Sequence, residues 1–149
     1  MTIVNTVDYI TISSTGNATD FGDLSAAKTG TATCASSTRS LVSGGYTGSA
    51  EVNVIEYFTT ASTGNGTDFG DLDGTHSDGY AGSSKTRALF QRNAVLNYVT
   101  IASLGNGADF GDCEDGTKSA GTSNGHGGLN AFNPRAPELY SPTGKVVPR

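Results

Sequence analysis

A fifteen-residue segment occurs three times in this chain, and this repeat limits the possible folds more than any other feature. The copies span residues 9–23, 57–71 and 98–112, at offsets of 48 and 41 residues. Nine of the fifteen columns are identical in all three copies: Tyr, Thr, Ser, Gly, Asn, Asp, Phe, Gly and Asp, in this order. A chain with such a repeat folds as a series of similar units that bury their apolar faces against one another.

Each copy has the pattern of two β-strands. In the first copy Val7, Tyr9 and Thr11 fall on one face of an extended chain, and this period of two predicts a strand. The Ser-Thr-Gly-Asn sequence that follows predicts a tight turn, because Gly and Asn tolerate positive φ. The Asp-Phe-Gly-Asp-Leu sequence then predicts the returning strand, in which the Gly introduces a bulge. Residues 30–34 and 39–42 predict two further, weaker strands.

A repeat of about 45 residues with up to four short strands has the length of one propeller blade. We therefore predict an all-β protein of three repeats of short antiparallel strands, arranged as a partial propeller or as stacked β units. Residues 1–129 form one domain, with units of about 1–50, 51–93 and 94–129. Residues 130–149 contain all four prolines and predict an extended C-terminal arm.

The aromatic columns that are identical in all three copies, here called conserved, are the predicted core. Identity in these columns while the linkers diverge suggests that one packing solution is used three times. We expect equivalent burial of the three phenylalanines and of the three tyrosines: Phe21, Phe69 and Phe110, and Tyr9, Tyr57 and Tyr98.

Composition excludes several functions. The formal net charge is −5 and the isoelectric point is near 4.7, so the chain lacks the basic surface that nucleic-acid binding requires. It has no apolar run long enough to span a membrane, and the first residues lack the pattern of a secretory signal, so we expect neither a membrane span nor secretion. We expect a protein made in a reducing cytoplasm, with Cys34 and Cys113 as free thiols; one disulfide between them is the alternative.

The residues suggest little catalytic chemistry. Asp-Phe-Gly matches a kinase motif, but it occurs three times and without the other kinase motifs. His76 and His126 lie in Gly- and Ser-rich segments without a marked nucleophile beside them. We predict that the protein is not an enzyme, and we assign no catalytic, cofactor-binding or metal-binding residues and no cofactor.

Pairs of aspartates recur in the three copies, and their oxygens would suit Ca²⁺. The favoured alternative is that these aspartates accept backbone N–H bonds in turns. The pairs are Asp20 and Asp23, Asp68 and Asp71, and Asp109 and Asp112.

The units resemble the kelch-like repeats of predicted structural proteins in tailed phages that infect cyanobacteria. The resemblance is carried by Thr-Gly-Asn-Ala-Thr-Asp-Phe-Gly-Asp-Leu (15–24), Ser-Ser-Thr-Arg (36–39), Gly44-Gly45, Asn-Val-Ile-Glu-Tyr (53–57) and Asn-Gly-His-Gly-Gly-Leu (124–129). It implies blade-like units and a virion component, located in the virion after synthesis in the host cytoplasm. The likeness to true kelch repeats is looser, because Trp is absent.

Two functions of different classes follow. The first is a virion structural protein, in the capsid or the tail, whose partners are further copies of itself and other virion proteins. The second is a receptor-binding module that recognises cell-surface glycans through exposed Tyr, Asn and Asp. Because three blades are too few to close a ring, we also predict assembly into an oligomer or polymer, with the arm crossing between subunits.

Overall fold

The computed structural model describes residues 2–114 and 121, and all regular elements in this part of the chain are β-strands. It therefore contains no helix that could cross a membrane. The strands are β1 (Thr6–Tyr9), β2 (Thr19–Asp23), β3 (Ala32–Ala35), β4 (Arg39–Ser43), β5 (Val52–Thr59), β6 (Thr67–His76), β7 (Tyr80–Ser83), β8 (Arg87–Arg92), β9 (Val95–Thr100) and β10 (Ala108–Asp112). The predicted all-β class is confirmed.

The strands form three antiparallel sheets. β1 and β2 make a two-stranded sheet, β3 to β6 make a four-stranded meander, and β7 to β10 make a second four-stranded meander. The two weaker strands of the sequence pattern are present as β3 and β4. Each four-stranded sheet joins the end of one sequence repeat to the start of the next, because β4 pairs with β5 and β8 pairs with β9. The described residues form no closed ring of sheets.

The conserved segment forms a bulged hairpin in all three copies, as the pattern predicts. In the first hairpin Val7 pairs with Gly22 and the next residue, Asp8, pairs with Asp20, so Phe21 is an extra residue in β2. The same register shift leaves the equivalent phenylalanines, Phe69 in β6 and Phe110 in β10, without a pairing partner on the neighbouring strand. The Gly after each phenylalanine has a φ between 138° and 150°, a region that side-chain-bearing residues rarely occupy.

The chain reversal lies earlier in the sequence than predicted. In each copy the conserved Ser donates its backbone N–H to the carbonyl of the conserved Thr three residues before it, at 3.1–3.3 Å. This hydrogen bond closes a four-residue β-turn between the two columns. The Gly-Asn sequence predicted to form a tight turn follows this β-turn, so that prediction is wrong in position.

The core lies where the two four-stranded sheets meet. Its buried side chains are Ala32, Cys34, Leu41, Ile55, Phe69, Leu72, Ala88, Phe90, Val99 and Ile101. The sheets contact each other mainly through β3 and β7, and the Ser83 hydroxyl donates to the Ala35 carbonyl oxygen across them at 2.7 Å.

The prediction that the conserved aromatic residues are equally buried is wrong. Phe69 is 2% exposed, but Phe110 is 51% exposed and Phe21 is half-buried. Tyr57 and Tyr98 are half-buried, and Tyr9 is exposed. The physical reason is that each unit is covered by its neighbour along the chain, so a side chain at either end of the series lacks part of its cover.

Candidate functional site

Five of the nine conserved columns meet at the junctions between successive units. We call residues 16–18, 64–66 and 105–107 the turn segments, because they follow the β-turn of each hairpin. We call residues 21–23, 69–71 and 110–112, with the sequence Phe-Gly-Asp, the edge segments. Each edge segment lies on the last strand of its sheet, where unpaired backbone groups remain available.

At the first junction the second turn segment extends this edge. The backbone N–H of Gly64 donates to the Phe21 carbonyl oxygen, and that of Gly66 donates to the Asp23 carbonyl oxygen, both at 2.8 Å. Donors and acceptors advance together along the chain, so the two segments run in the same direction. The turn segment thus adds a short extra strand to the preceding hairpin.

The second junction repeats this arrangement. The backbone N–H of Gly105 donates to the Phe69 carbonyl oxygen at 2.9 Å, and that of Gly107 donates to the Asp71 carbonyl oxygen at 2.7 Å. Each distance differs by only 0.1 Å from its counterpart of 2.8 Å at the first junction. The repeat therefore specifies a way of joining units as well as a hairpin.

The conserved Asn supplies a third hydrogen bond at each junction. The Asn65 side-chain oxygen Oδ1 accepts from the backbone N–H of Asp23 at 3.0 Å, and Asn106 Oδ1 accepts from that of Asp71 at 3.1 Å. The amide oxygen thereby takes the place of a backbone carbonyl between two hydrogen bonds of the ladder. This role, rather than a positive φ in a tight turn, accounts for the Asn column.

The conserved Gly of the edge segment allows close approach of the two backbones. A Cβ atom on Gly22 would lie 2.3 Å from the carbonyl oxygen of Gly64, and one on Gly70 would lie 2.5 Å from that of Gly105. Both distances are far below van der Waals contact, so any side chain there would push the units apart.

Aromatic packing accompanies the hydrogen bonds. In all three hairpins the conserved Tyr and Phe rings meet edge to face, with centroids 5.8–6.1 Å apart. Phe21 also meets Phe58 of the next hairpin at 5.8 Å, and Phe69 shares the core with Val99, the equivalent of Phe58. Phe21 therefore packs on the following unit, and Phe69 lies in one core with a residue of the following unit, which extends both junctions beyond the backbone.

Arginines stack on two of the conserved tyrosines. The Arg39 guanidinium lies 4.5 Å from the ring centre of Tyr57, and that of Arg87 lies 4.8 Å from the ring centre of Tyr98. Both are cation–π contacts between neighbouring strands of one sheet. Arg39 also donates to the carbonyl oxygen of Ile101 at 2.8 Å and so connects the two four-stranded sheets.

A buried ion pair reinforces the first junction. Lys28 Nζ lies 2.6 Å from Glu56 Oε2, and both side chains are 2% exposed. Glu56 Oε1 also accepts from the backbone N–H of Ser25 at 2.8 Å. Burial alone would raise the pKa of Glu56, but the hydrogen bonds and the charge of Lys28 outweigh it and lower that pKa. The sequence pattern gave no sign of this pair, because Lys28 lies between repeats.

Asn97 takes the position of Glu56 at the second junction. Its Oδ1 accepts from the backbone N–H of Asp73 at 3.2 Å, as Glu56 accepts from Ser25. Its Nδ2 is buried and makes no hydrogen bond to the described residues. The two junctions therefore share the backbone contact and differ in charge.

His76 is a buried histidine at the end of β6. It is 4% exposed, and neither ring nitrogen has a hydrogen-bond partner among the described residues. Gly44 and Gly79 lie against the ring, where a Cβ on either glycine would come within 2.4 Å. Burial is the main cause that lowers the pKa of His76, and the nearby charge of Arg92 adds to it while Glu51 opposes it.

The paired aspartates do not converge. The first aspartate of each pair is exposed, and within residues 2–114 and 121 no three His, Cys, Asp or Glu side chains are placed to share a metal ion. In the third copy Asp109 Oδ1 accepts from the backbone N–H of Gly111 at 3.0 Å, the kind of turn contact that the favoured interpretation expects.

The two cysteines are free thiols in the structure. Cys34 lies in the core, where burial raises its pKa to about 12, so its thiol remains protonated at neutral pH. Cys113 is half-buried beyond β10.

The two ends of the series expose side chains that the inner copies bury. Ile10 is 62% exposed, whereas its counterparts Phe58 and Val99 are 4% and 3% exposed. At the other end Phe110 is 51% exposed, against 2% for Phe69. Each end thus has one half of a junction, and the two halves differ.

No protein-family model and no curated protein matches the chain. Three parts of the sequence prediction lie outside the described residues: His126, the Gly-Gly-Leu sequence at 127–129 and the arm at 130–149. The candidate site is therefore the junction surface of residues 2–114.

Proposed function

We propose that this chain is a non-enzymatic virion structural protein, a capsid decoration or tail component, that assembles through the faces of its repeat units and its C-terminal arm. The observation that carries the proposal is the pair of unequal open ends. Ile10 and Phe110 stay exposed there while their inner counterparts are buried. A protein built to be joined to others would have such ends, and the resemblance to phage repeats gives the setting.

The positions of the three groups with shifted pKa values support a structural role. Glu56 is bound to Lys28 and to the chain after β2, so its carboxylate joins two units instead of facing solvent. The Cys34 thiol is buried in the core, and the ring of His76 is enclosed by glycines. A group used in catalysis must reach its substrate, and these three groups are covered by protein.

Protein analysis of purified particles tests the virion role. The sample is gradient-purified phage from an infected culture in which this chain is produced. We expect mass spectrometry to detect the chain in these particles at a constant ratio to the major capsid protein. A matched sample from an uninfected culture is the control. Absence of the chain from intact particles would refute the proposal.

A glycan-binding module is the second candidate. A cleft of about 620 Å³ lies between the first hairpin and the β3–β4 face, and the exposed Tyr9 and Asp8 line it together with apolar side chains such as Val42. An exposed Tyr beside polar groups is a suitable surface for stacking and hydrogen bonding a sugar. Binding on a glycan array that is lost in Tyr9→Ala and kept in Tyr46→Ala, which changes another exposed Tyr, would favour this candidate.

A further inference from the structure

The two ends of the described chain are complementary halves of one junction. The first turn segment, Gly16, Asn17 and Ala18, has no preceding edge segment to contact within the described residues. The third edge segment, residues 110–112, has no following turn segment there. Both keep the conserved residues whose roles at the inner junctions are contacts with a neighbouring unit.

The groups at the two ends correspond, donor by donor and acceptor by acceptor, to the groups that make the inner contacts. Where Gly64 donates to Phe21, Gly16 can donate to Phe110; where Asn65 accepts from Asp23, Asn17 can accept from Asp112. Among the residues that the structure describes, a Cβ on Gly111 would meet nothing within 4 Å, so none of them takes the space that Gly64 takes beside Gly22.

The single departure from the other copies within the first turn segment is compatible with docking. Ala18 occupies the column of Gly66, and its backbone N–H can donate in the same way. A Cβ on Gly66 would lie 3.1 Å from Phe58 Cζ and from Glu56 Oε1. The first copy has the shorter Ile10 and Asp8 in those two columns, which leaves room for the alanine methyl group.

A fourth polar contact is available at the same place. At both inner junctions a side-chain oxygen accepts from the backbone N–H two residues after the edge segment: Glu56 from Ser25, and Asn97 from Asp73. The first copy has Asp8 in this column, and Glu114 provides the equivalent backbone N–H beyond β10. Every acceptor column of the junction is therefore filled at the leading end.

We propose that a second copy of this chain occupies the open edge: residues 16–18 of one copy dock on residues 110–112 of another, and Ile10 packs on Phe110. This inference rests on the proposed assembly role and names the contact that performs it. The two surfaces differ, so the contact is heterologous and each copy keeps one free end. Repetition gives a ring where the rotation closes and a fibre where it does not.

Mixing two blocked variants tests the contact. Ile10→Asp places a charge at the leading end, and Phe110→Asp places one at the trailing end; both side chains are exposed in the single chain. We expect the full-length wild-type chain to sediment as species of more than two copies and each variant to sediment as a 15.2 kDa monomer. An equimolar mixture has one intact leading end and one intact trailing end, so it should form a dimer that does not grow.

Leu104→Asp is the matched control, because Leu104 is 58% exposed and lies in a connection outside the two end surfaces. It should assemble as the wild type does. The proposal is overturned by a monomeric wild type, by variants that assemble unchanged, or by a mixture that remains monomeric. Circular dichroism of each variant confirms that it retains the β structure.

These outcomes are separate from those for the virion role. A chain that is present in particles but monomeric in solution at all concentrations removes this inference and leaves the virion role intact. A chain that assembles head to tail but is absent from particles removes the virion role alone.

Discussion

Replacement of the conserved phenylalanines by alanine should give three different losses of stability in one sequence column. Phe69 is 2% exposed and packs among Val99, Ile101 and other core side chains, so Phe69→Ala leaves a cavity. Such substitutions cost about 3–5 kcal/mol, which is a large part of the stability of a domain of this size.

Phe110→Ala should cost about 0.8–1.5 kcal/mol, because about half of this side chain is already in water and removal of a fully buried one forfeits only about 1.5–3 kcal/mol of transfer free energy. Phe21→Ala should lie between the two, since the ring is half-buried and meets Phe58. The order Phe69, Phe21, Phe110 follows the burial of the three side chains.

Urea unfolding followed by far-UV circular dichroism measures the three losses, at protein concentrations at which the chain sediments as a monomer. The dependence of the unfolding free energy on urea should be unchanged, so that the midpoints compare stability directly. Equal losses at Phe69 and Phe110 would refute the reasoning, because they would mean that burial at the junction does not depend on a following unit.

Three further predictions follow from the charged and ionisable groups. Glu56→Gln should lower the unfolding free energy by about 3–5 kcal/mol, because it leaves Lys28 buried without its counter-ion. The double variant with Lys28→Met should recover part of this loss in urea unfolding. A double variant that is as unstable as Glu56→Gln would contradict the prediction. The melting temperature should fall as pH drops below about 6.5, the ordinary pKa of histidine, because the unfolded chain takes up a proton that folded His76 resists. Calorimetry at pH 7.5 and 5.5 should show a smaller fall for His76→Leu, and an identical fall would count against His76 as the cause. EDTA should leave the melting temperature unchanged, whereas a decrease reversed by Ca²⁺ would show that the paired aspartates hold a structural ion.

The strands and the bulge could be predicted because their signals are local. Alternation over four to eight residues identifies a strand without knowledge of its neighbours, and a Gly inside such a strand indicates a bulge. All three hairpins and the strands β3 and β4 could be predicted in this way. The Thr-to-Ser turn was not, because Gly and Asn carry the stronger turn propensity and they lie immediately after it.

The junctions could not be predicted because their signal is not local. Asn65 is conserved for a hydrogen bond to Asp23, 42 residues away, and nothing in its own segment indicates that partner. Lys28 and Glu56 likewise meet across 28 residues. The burial of Phe69 and the exposure of Phe110 depend on position in the series, which identical local sequences cannot encode.

Amide hydrogen exchange tests the central claim most directly, which is that the turn segments exist to join one unit to the next. The measurement is residue-resolved NMR on the monomeric Ile10→Asp variant, compared with the assembled wild type. In the monomer the amides of Gly64, Gly66, Gly105 and Gly107 should be protected, because each donates to the preceding unit, while those of Gly16 and Ala18 should exchange freely. In the assembly Gly16 and Ala18 should become protected as well. Free exchange at the four inner amides, or exchange at Gly16 and Ala18 that is the same in both samples, would contradict the account.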